Sequence, residues 1–562
     1  MASSGRSRRG CWFALMAAVI AAPAAAQEVR PGDRPLPDEE FLPEEGEGPA
    51  PLDLPLIAPD PEDAKRLGAG LRVFVREFRV EGSSVFSDAE LTKATRPFVG
   101  REINSEELLQ AREIVTQLYI SRGYVTSGAI IPDQTMSDGV VVLQVVEGQL
   151  TDVRVEGTQW FRPGYFRARL LRAASTPVNV LDLERLLRRF QQNPTVDRIR
   201  AKLLPGEQRG ESVLVVSVEE GRPYSLQLVT DNDRNPSIGA WGGRAVGSFS
   251  DLLGYDDRLS GSVDISKGLR EYFVQYDQPL FLWDTRLGFH YLNTSIDVVD
   301  DDFDELDIES DSETFGVTLR HPFYLNSEHT VWLGIEAERR ESETTLLGEE
   351  FCFPPVVDCK PVINVVRAVQ LWTWRTRSDV VAARSTFSVG LDVWDATTEG
   401  KVDGQYFAWL GQTQWAHLFS EKLWRTELLA RADAQFANDP LLPIEKFSLG
   451  GLNSIRGYRH NRIVRDNGVM GSLELRIPLY RNAFGRPLLQ LVPFAEVGHG
   501  WDDAATLPAE TLASVGVGLR ISPWEWLLAE AYWGGELIDI PGPSNDDIQD
   551  DGFYIRVTVT PF

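Results

Sequence analysis

Few side chains in this sequence could do covalent chemistry. Six histidines and three cysteines are spread over 562 residues. They form no convergent nucleophile–base pattern, and no glycine-rich phosphate-binding loop occurs. An enzyme is therefore not indicated, and no cofactor or metal is expected. Cys352 and Cys359 enclose Phe353-Pro354-Pro355-Val356-Val357-Asp358, a short segment that must turn. In an oxidising compartment that pair suggests a disulfide pinning a loop, with two unpaired thiols as the alternative. A zinc site would need further ligands of matching spacing, and none lies nearby. The formal net charge of -27 also argues against a nucleic-acid partner, which calls for basic patches.

The elements that would position such residues begin with a leader. Arg6, Arg8 and Arg9 precede an apolar stretch from Trp12 to Pro23, and Ala24-Ala25-Ala26 supplies small residues. That order reads as a signal peptide over residues 1–26, with Cys11 inside it, so the mature chain is exported. No later run of about 18 apolar residues could form a spanning helix. Yet 15 Trp, 27 Phe and 14 Tyr are many for an acidic, loop-rich chain. Aromatic girdles of a membrane barrel would account for them, and a large soluble β protein is the alternative on composition alone. Residues 27–70 are rich in Pro, Glu and Asp and read as extended, apart from a short helix around Pro61 to Leu67.

An internal repeat follows. Arg79-Val80-Glu81-Gly82-Ser83-Ser84-Val85-Phe86 returns 75 residues later as Arg154-Val155-Glu156-Gly157-Thr158-Gln159-Trp160-Phe161. The copies end alike, in Val145-Val146-Glu147-Gly148 and Val218-Glu219-Glu220-Gly221. In the first, Val73 to Val80 alternates as a strand, and Ser87-Asp88-Ala89-Glu90 has capping-box spacing. Asn104-Ser105 opens a second helix with Leu108, Ala111, Val115 and Leu118 on one face, and Gly123 suits its end. Val125 to Ile131 and Val140 to Val146 then read as strands joined through Ser137-Asp138-Gly139. In the second copy Leu183, Leu186, Leu187 and Phe190 share a helix face, and Asn193-Pro194 stops it. Each copy is a small α+β module of order β-α-α-β-β, over residues 71–149 and 150–221.

From residue 222 to 562 the texture changes to short alternating segments separated by Gly, Asp, Asn and Pro. Examples are Tyr224 to Val229, Arg258 to Ile265, Arg286 to Leu292, Phe387 to Val393, Leu473 to Ile477 and Phe553 to Val559. Closure into a transmembrane antiparallel β-barrel is the one way such strands satisfy their backbone in lipid. About 340 residues give sixteen strands roughly 21 residues each, connections included. Val559, Val557, Ile555 and Phe553 occupy one phase of the last strand, and the terminal Phe562 falls in the other. The run Asp300-Asp301-Asp302 with Asp304, Glu305 and Asp307 reads as a solvated outer loop, calcium bridging to lipopolysaccharide being the sharper alternative.

At this point the sequence resembles the two-partner secretion transporters of the haemolysin secretion/activation (ShlB/FhaC/HecB) type, from about Leu71 to Phe562. The two modules look like POTRA domains, and Asp231-Asn232 with Leu252-Leu253-Gly254-Tyr255-Asp256-Asp257 look like the family's first barrel strands. Phe447-Ser448-Leu449-Gly450-Gly451-Leu452-Asn453-Ser454-Ile455-Arg456-Gly457-Tyr458 is similar to its loop motif, with Ile455 where Val is usual. The resemblance implies a long outer loop folded back into the barrel. Its Arg456 would pair with an acid on an inner-wall strand, here Glu496 in Phe494-Ala495-Glu496-Val497-Gly498, where Asp is usual. A guanidinium in a lumen does need a carboxylate, and its planar fork takes one bidentately. Gly457 permits a tight backbone, and Tyr458 adds a stacking surface with a polar tip.

The implied function is outer-membrane transport of one large exoprotein with an N-terminal secretion domain. The POTRA modules would lie in the periplasm, and the chain would be monomeric in outer-membrane lipid and lipopolysaccharide. Capture would use a groove between the Ser105–Arg122 helix and the Val125–Ile131 strand. Family members often carry an N-terminal plug helix, which the composition of residues 27–70 disfavours. The alternative is a general insertase for outer-membrane proteins, a class that resembles chains with more POTRA modules.

Overall fold

The computed structural model describes residues 72–135, 138–280, 284–300, 306–326, 328–352, 358–400, 402–502, 507–541 and 547–561. The leader, the segment 27–70 with its short helix and plug, Ser137, Asp301 to Glu305, residues 353–357 and Phe562 lie outside the described residues. The chain divides into two compact units, one of modules and one of barrel strands.

The first module contains β1 (Arg72–Val75), β2 (Glu77–Glu81), α1 (Asp88–Thr95), β3 (Arg101–Asn104), α2 (Ser105–Ser121), β4 (Gly128–Ile130) and β5 (Val140–Val146). The single strand expected over Val73 to Val80 is two. Gly139 O accepts the N–H groups of both Arg76 and Glu77, at 2.7 and 3.3 Å, and β1 turns away to pair with β3. β2 runs parallel to β5, which pairs antiparallel with β4. Both helices start with a capping box, Ser87 with Glu90 and Asn104 with Glu107. α2 buries Leu108, Ala111, Val115 and Tyr119, so Tyr119 takes the place expected for Leu118. β4 is shorter than the expected Val125 to Ile131. The chain is still turning there, with Tyr124 N donating to Tyr119 O and Ser127 N to Tyr124 O.

The second module contains β6 (Gln149–Glu156), α3 (Pro163–Ala173), α4 (Val180–Gln191), β7 (Val196–Pro205) and β8 (Glu211–Glu220). Its sheet order β6-β8-β7 matches β2-β5-β4. The repeated terminal Glu has one structural cause in both copies. Glu147 accepts from Ser84 N at 2.7 Å and Ser84 Oγ at 2.6 Å. Glu220 accepts from Gln159 N and Trp160 N at 3.0 and 2.7 Å. Each carboxylate thus satisfies backbone donors of a strand-to-helix turn that would otherwise lack partners.

The other unit is a closed antiparallel barrel of sixteen strands, from Tyr224–Asp231 to Phe553–Val559. Its turns at one end are short: Trp524 pairs with Leu527 across two residues. Connections at the other end are long, as in bacterial outer-membrane barrels. Outward positions such as Leu333, Ile335, Val515 and Val517 are exposed and apolar, while Glu338, Glu474 and Glu496 point inward and are buried. The strand expected over Phe387 to Val393 is Asp379–Leu391, because the chain turns at Trp394 and Asp395. Leu252 to Asp257, expected on a strand, forms the turn between Gly242–Ser250 and Arg258–Ser266, with left-handed Asp251, Gly254 and Asp256. The last strand closes onto the first through four residue pairs, Arg556 with Asp231 to Val559 with Leu228.

Candidate functional site

The connection between the strands Glu427–Ala437 and Asn467–Arg481 does not extend outward. It folds into the barrel as a hairpin, Phe447–Leu449 paired with Ile463–Arg465. An apolar cluster of Phe447, Leu449, Ile455, Tyr458, Ile463, Met470 and Leu512 seats it against the wall.

At its tip Arg456 is 4% exposed. Its Nε and Nη2 donate to Glu496 Oε1 at 2.9 and 2.6 Å, and its own backbone N–H donates to Glu496 Oε2 at 2.6 Å. Nη1 donates to Glu474 Oε2 at 2.8 Å. Ser472 Oγ donates to Glu496 Oε1 at 3.0 Å, and Arg476 Nε to Glu474 Oε1 at 2.8 Å. The guanidinium carbon lies 3.7 Å from the centre of the Phe494 ring and 4.8 Å from that of Tyr532. A cation so enclosed keeps its charge through carboxylates and aromatic faces in place of water.

The neighbouring residues fix that geometry. Gly457 has φ +104°, which a residue with a Cβ rarely adopts. A Cβ on Gly534, from the strand Leu527–Glu536, would lie 2.8 Å from the carbonyl carbon of Arg456. Tyr458 Oη sits 2.9 Å from Ala513 O and 2.7 Å from Ile538 O. Gly498 leaves room for Leu449 and Ile455, whose side chains would meet its Cβ at 2.9 and 3.4 Å.

The root of the loop carries a second charged anchor that the sequence did not single out. Glu445 accepts from Arg340 Nη1 at 3.0 Å and from Arg367 Nη2 at 2.8 Å, on the strands His329–Leu346 and Val362–Arg375. Glu338 pairs with both arginines, at 2.7 Å to Arg340 Nη2. His290 Nε2 lies 2.8 Å from Glu338 Oε1. Glu474 was also missed, although its inward phase between Leu473 and Leu475 was a usable signal. Cys352 and Cys359 are joined by a disulfide in the outer loop before Val362–Arg375.

Residues 210–521 match the family described as haemolysin secretion/activation protein ShlB/FhaC/HecB, and residues 73–148 match the ShlB-type POTRA domain. The chain belongs to the haemolysin secretion/activation family. It is therefore an outer-membrane transporter of the two-partner secretion type, with POTRA modules in the periplasm and a secreted exoprotein as its partner.

Similar proteins include the outer membrane transporter CdiB of Escherichia coli, 24% identical over 79% of this chain and 75% of the relative. The heme/hemopexin transporter protein HuxB of Haemophilus influenzae is 23% identical over 77% of this chain and 78% of its own. The solved structure of E. coli CdiB superposes with a TM-score of 0.62 at 21% identity, covering 99% of this chain and 100% of that one. BamA from Haemophilus ducreyi lacking POTRA domains 1-3 gives 0.54 at 14% identity over 86% and 99% of the two chains, which shows a shared fold alone.

Proposed function

We propose that residues 438–466 are the gate of this transporter and that Arg456 is its latch. The observation that carries this reading is the burial of Arg456 between Glu496 and Glu474, inside a lumen the exoprotein must cross. The incoming chain displaces the loop and threads the polar interior. The periplasm offers no ATP, so folding of the exoprotein outside supplies direction.

Capture is assigned to the second module. β7 is a ten-residue edge strand, whereas β4 has three residues and its Ala129 N–H is already bound to Thr116 Oγ at 3.1 Å. Gln191 caps the start of the β7 edge by accepting from Ile199 N at 2.8 Å. Ala201 and Leu203, in the same phase, direct their backbone groups along the rest of that edge. An extended segment can add there as a further strand.

Two experiments test this. Arg456→Ala should abolish secretion while the barrel still inserts, and normal secretion by that variant would refute the latch. Deleting residues 72–220 should stop secretion of one exoprotein and leave other barrels unaffected; a general assembly defect would favour an insertase.

A further inference from the structure

Beside the root of the luminal loop, the barrel wall gathers side chains with metal-ligand chemistry. His290 on Thr285–Asp297, and Glu336 and Glu338 on His329–Leu346, place one nitrogen and two carboxylate oxygens within 4.8 Å of one another. Strand register brings them together. His290 pairs with Gly316 and Gly316 with Glu338, so the three form one row across adjacent strands. Gly316, in the middle, has no side chain to hold the outer two apart, and a Cβ there would run into the imidazole ring. Glu336 lies two residues before Glu338, on the same inward face.

The carboxylate of Glu338 is divided between two tasks. Its Oε2 takes Arg340 Nε at 2.9 Å and also Arg367 Nη1, while Oε1 faces His290 Nε2 at 2.8 Å. The arginines therefore orient the carboxylate without occupying the oxygen turned to the imidazole, as hydrogen bonds to a metal-ligating carboxylate do. Their own charge is also met by Glu445, at 3.0 Å from Arg340 and 2.8 Å from Arg367. Glu336, Glu338 and Glu445 thus set three carboxylates against these two guanidiniums, and one negative charge is left for a cation. The spacing suits one. His290 Nε2 is 2.8 Å from Glu338 Oε1 and 3.9 Å from Glu336 Oε1. Tetrahedral ligands at about 2.0–2.1 Å from zinc stand about 3.3–3.4 Å apart, midway between those values. Glu336, its side chain 13% exposed, is the most open of the three and gives access from the lumen.

We propose that His290, Glu336 and Glu338 bind one divalent transition-metal ion of the zinc class, with water in the fourth position. The metal replaces the proton between His290 Nε2 and Glu338 Oε1, and that proton leaves to solvent. An imidazole ligand favours zinc over magnesium and calcium, which take oxygen ligands. The bound ion ties Thr285–Asp297 to His329–Leu346 across the strand between them. The site stands whether or not the luminal loop is a gate.

The test uses the full chain purified in detergent, stripped with a chelator and titrated calorimetrically with zinc chloride or magnesium chloride. The wild type should bind zinc at one more site than His290→Ala or Glu336→Gln, and should not bind magnesium there. Gly316→Ala keeps every ligand but displaces the imidazole, and should weaken that site about tenfold or more. Heat-modifiable migration reports whether each variant has folded; Glu336→Gln, nearly identical in shape, serves if His290→Ala fails. No zinc uptake by the wild type overturns the proposal. So does uptake unchanged in folded Glu336→Gln and Gly316→Ala, which would mean binding only at exposed histidines such as His321. Magnesium binding as tight as zinc at this site overturns it as well.

Discussion

At its tip the luminal loop presents a guanidinium to two carboxylates of the wall; at its root it presents a carboxylate to two guanidiniums. The two anchors are of opposite polarity, and they differ in what remains when the loop's charge is removed. Without Glu445, Arg340 and Arg367 still share Glu338. Without Arg456, Glu474 keeps Arg476, but Glu496 loses its only basic partner among the described residues. A buried charge left unpaired costs far more than one that keeps a second partner. The tip is therefore the more consequential end, and the root is buffered by its own wall.

The largest effect is expected at the tip. Arg456→Ala should remove about 3–5 kcal/mol of loop docking, visible as new proteolytic cleavage within residues 447–465 of a correctly inserted barrel. Exchanging the charges, Arg456→Glu with Glu496→Arg, should restore docking in part, because Glu474 then faces a like charge across the same site. Next comes Gly534→Ala, whose Cβ meets the Arg456 carbonyl carbon at 2.8 Å and should cost about 1–3 kcal/mol. It should loosen the tip while leaving the root protected from protease.

Glu445→Gln should be milder, reducing secretion without abolishing it and exposing residues 438–446 first. A double-mutant cycle between Arg456→Ala and Glu445→Gln sharpens the contrast: independent anchors give coupling within about 0.5 kcal/mol of zero. Larger coupling would mean that the loop releases as one body.

The smallest effect lies in the modules, where the same carboxylate device is half exposed. Burial pushes the Glu147 carboxyl up, but the hydrogen bonds from Ser84 and Tyr119 outweigh it and hold the pKa below the ordinary 4.5. A carboxyl depressed by folding stabilises the module above its unfolded pKa, and that contribution fades as pH falls through the lower folded value. Protection of the amides at residues 83–86, relative to their intrinsic exchange rates, should therefore fall below about pH 4.5 in the wild type. In Glu147→Gln that protection should be low and unchanged over the same pH range.

Much of this architecture was legible in the sequence because it depends on short periods. Leu183, Leu187 and Phe190 announce a helix face, Phe553 to Val559 an alternating strand, and the repeated terminal Glu a repeated module. Closure into a barrel followed from length together with that alternation, which allowed sixteen strands without fixing their number. The division of Val73 to Val80 between two sheets was not legible, since it depends on which strand lies opposite each half. Nor were Glu445, Arg340 and Arg367. Alternation tells which residues face the lumen, but not which of them meet across it, and that pairing is set by strand register and barrel curvature.

The four-pair closure of the barrel also constrains how the molecule is made. Arg556 and Asp231 are separated by 325 residues, so the bond between them belongs to the last contacts the chain can form. Loop-closure entropy grows only slowly with length, and the delay is one of sequence order more than of energy. Until Phe553–Val559 has been delivered, Tyr224–Asp231 stands with one side of its backbone unsatisfied beside lipid. The edge that closes the barrel is thus the one whose backbone partners lie farthest apart along the chain.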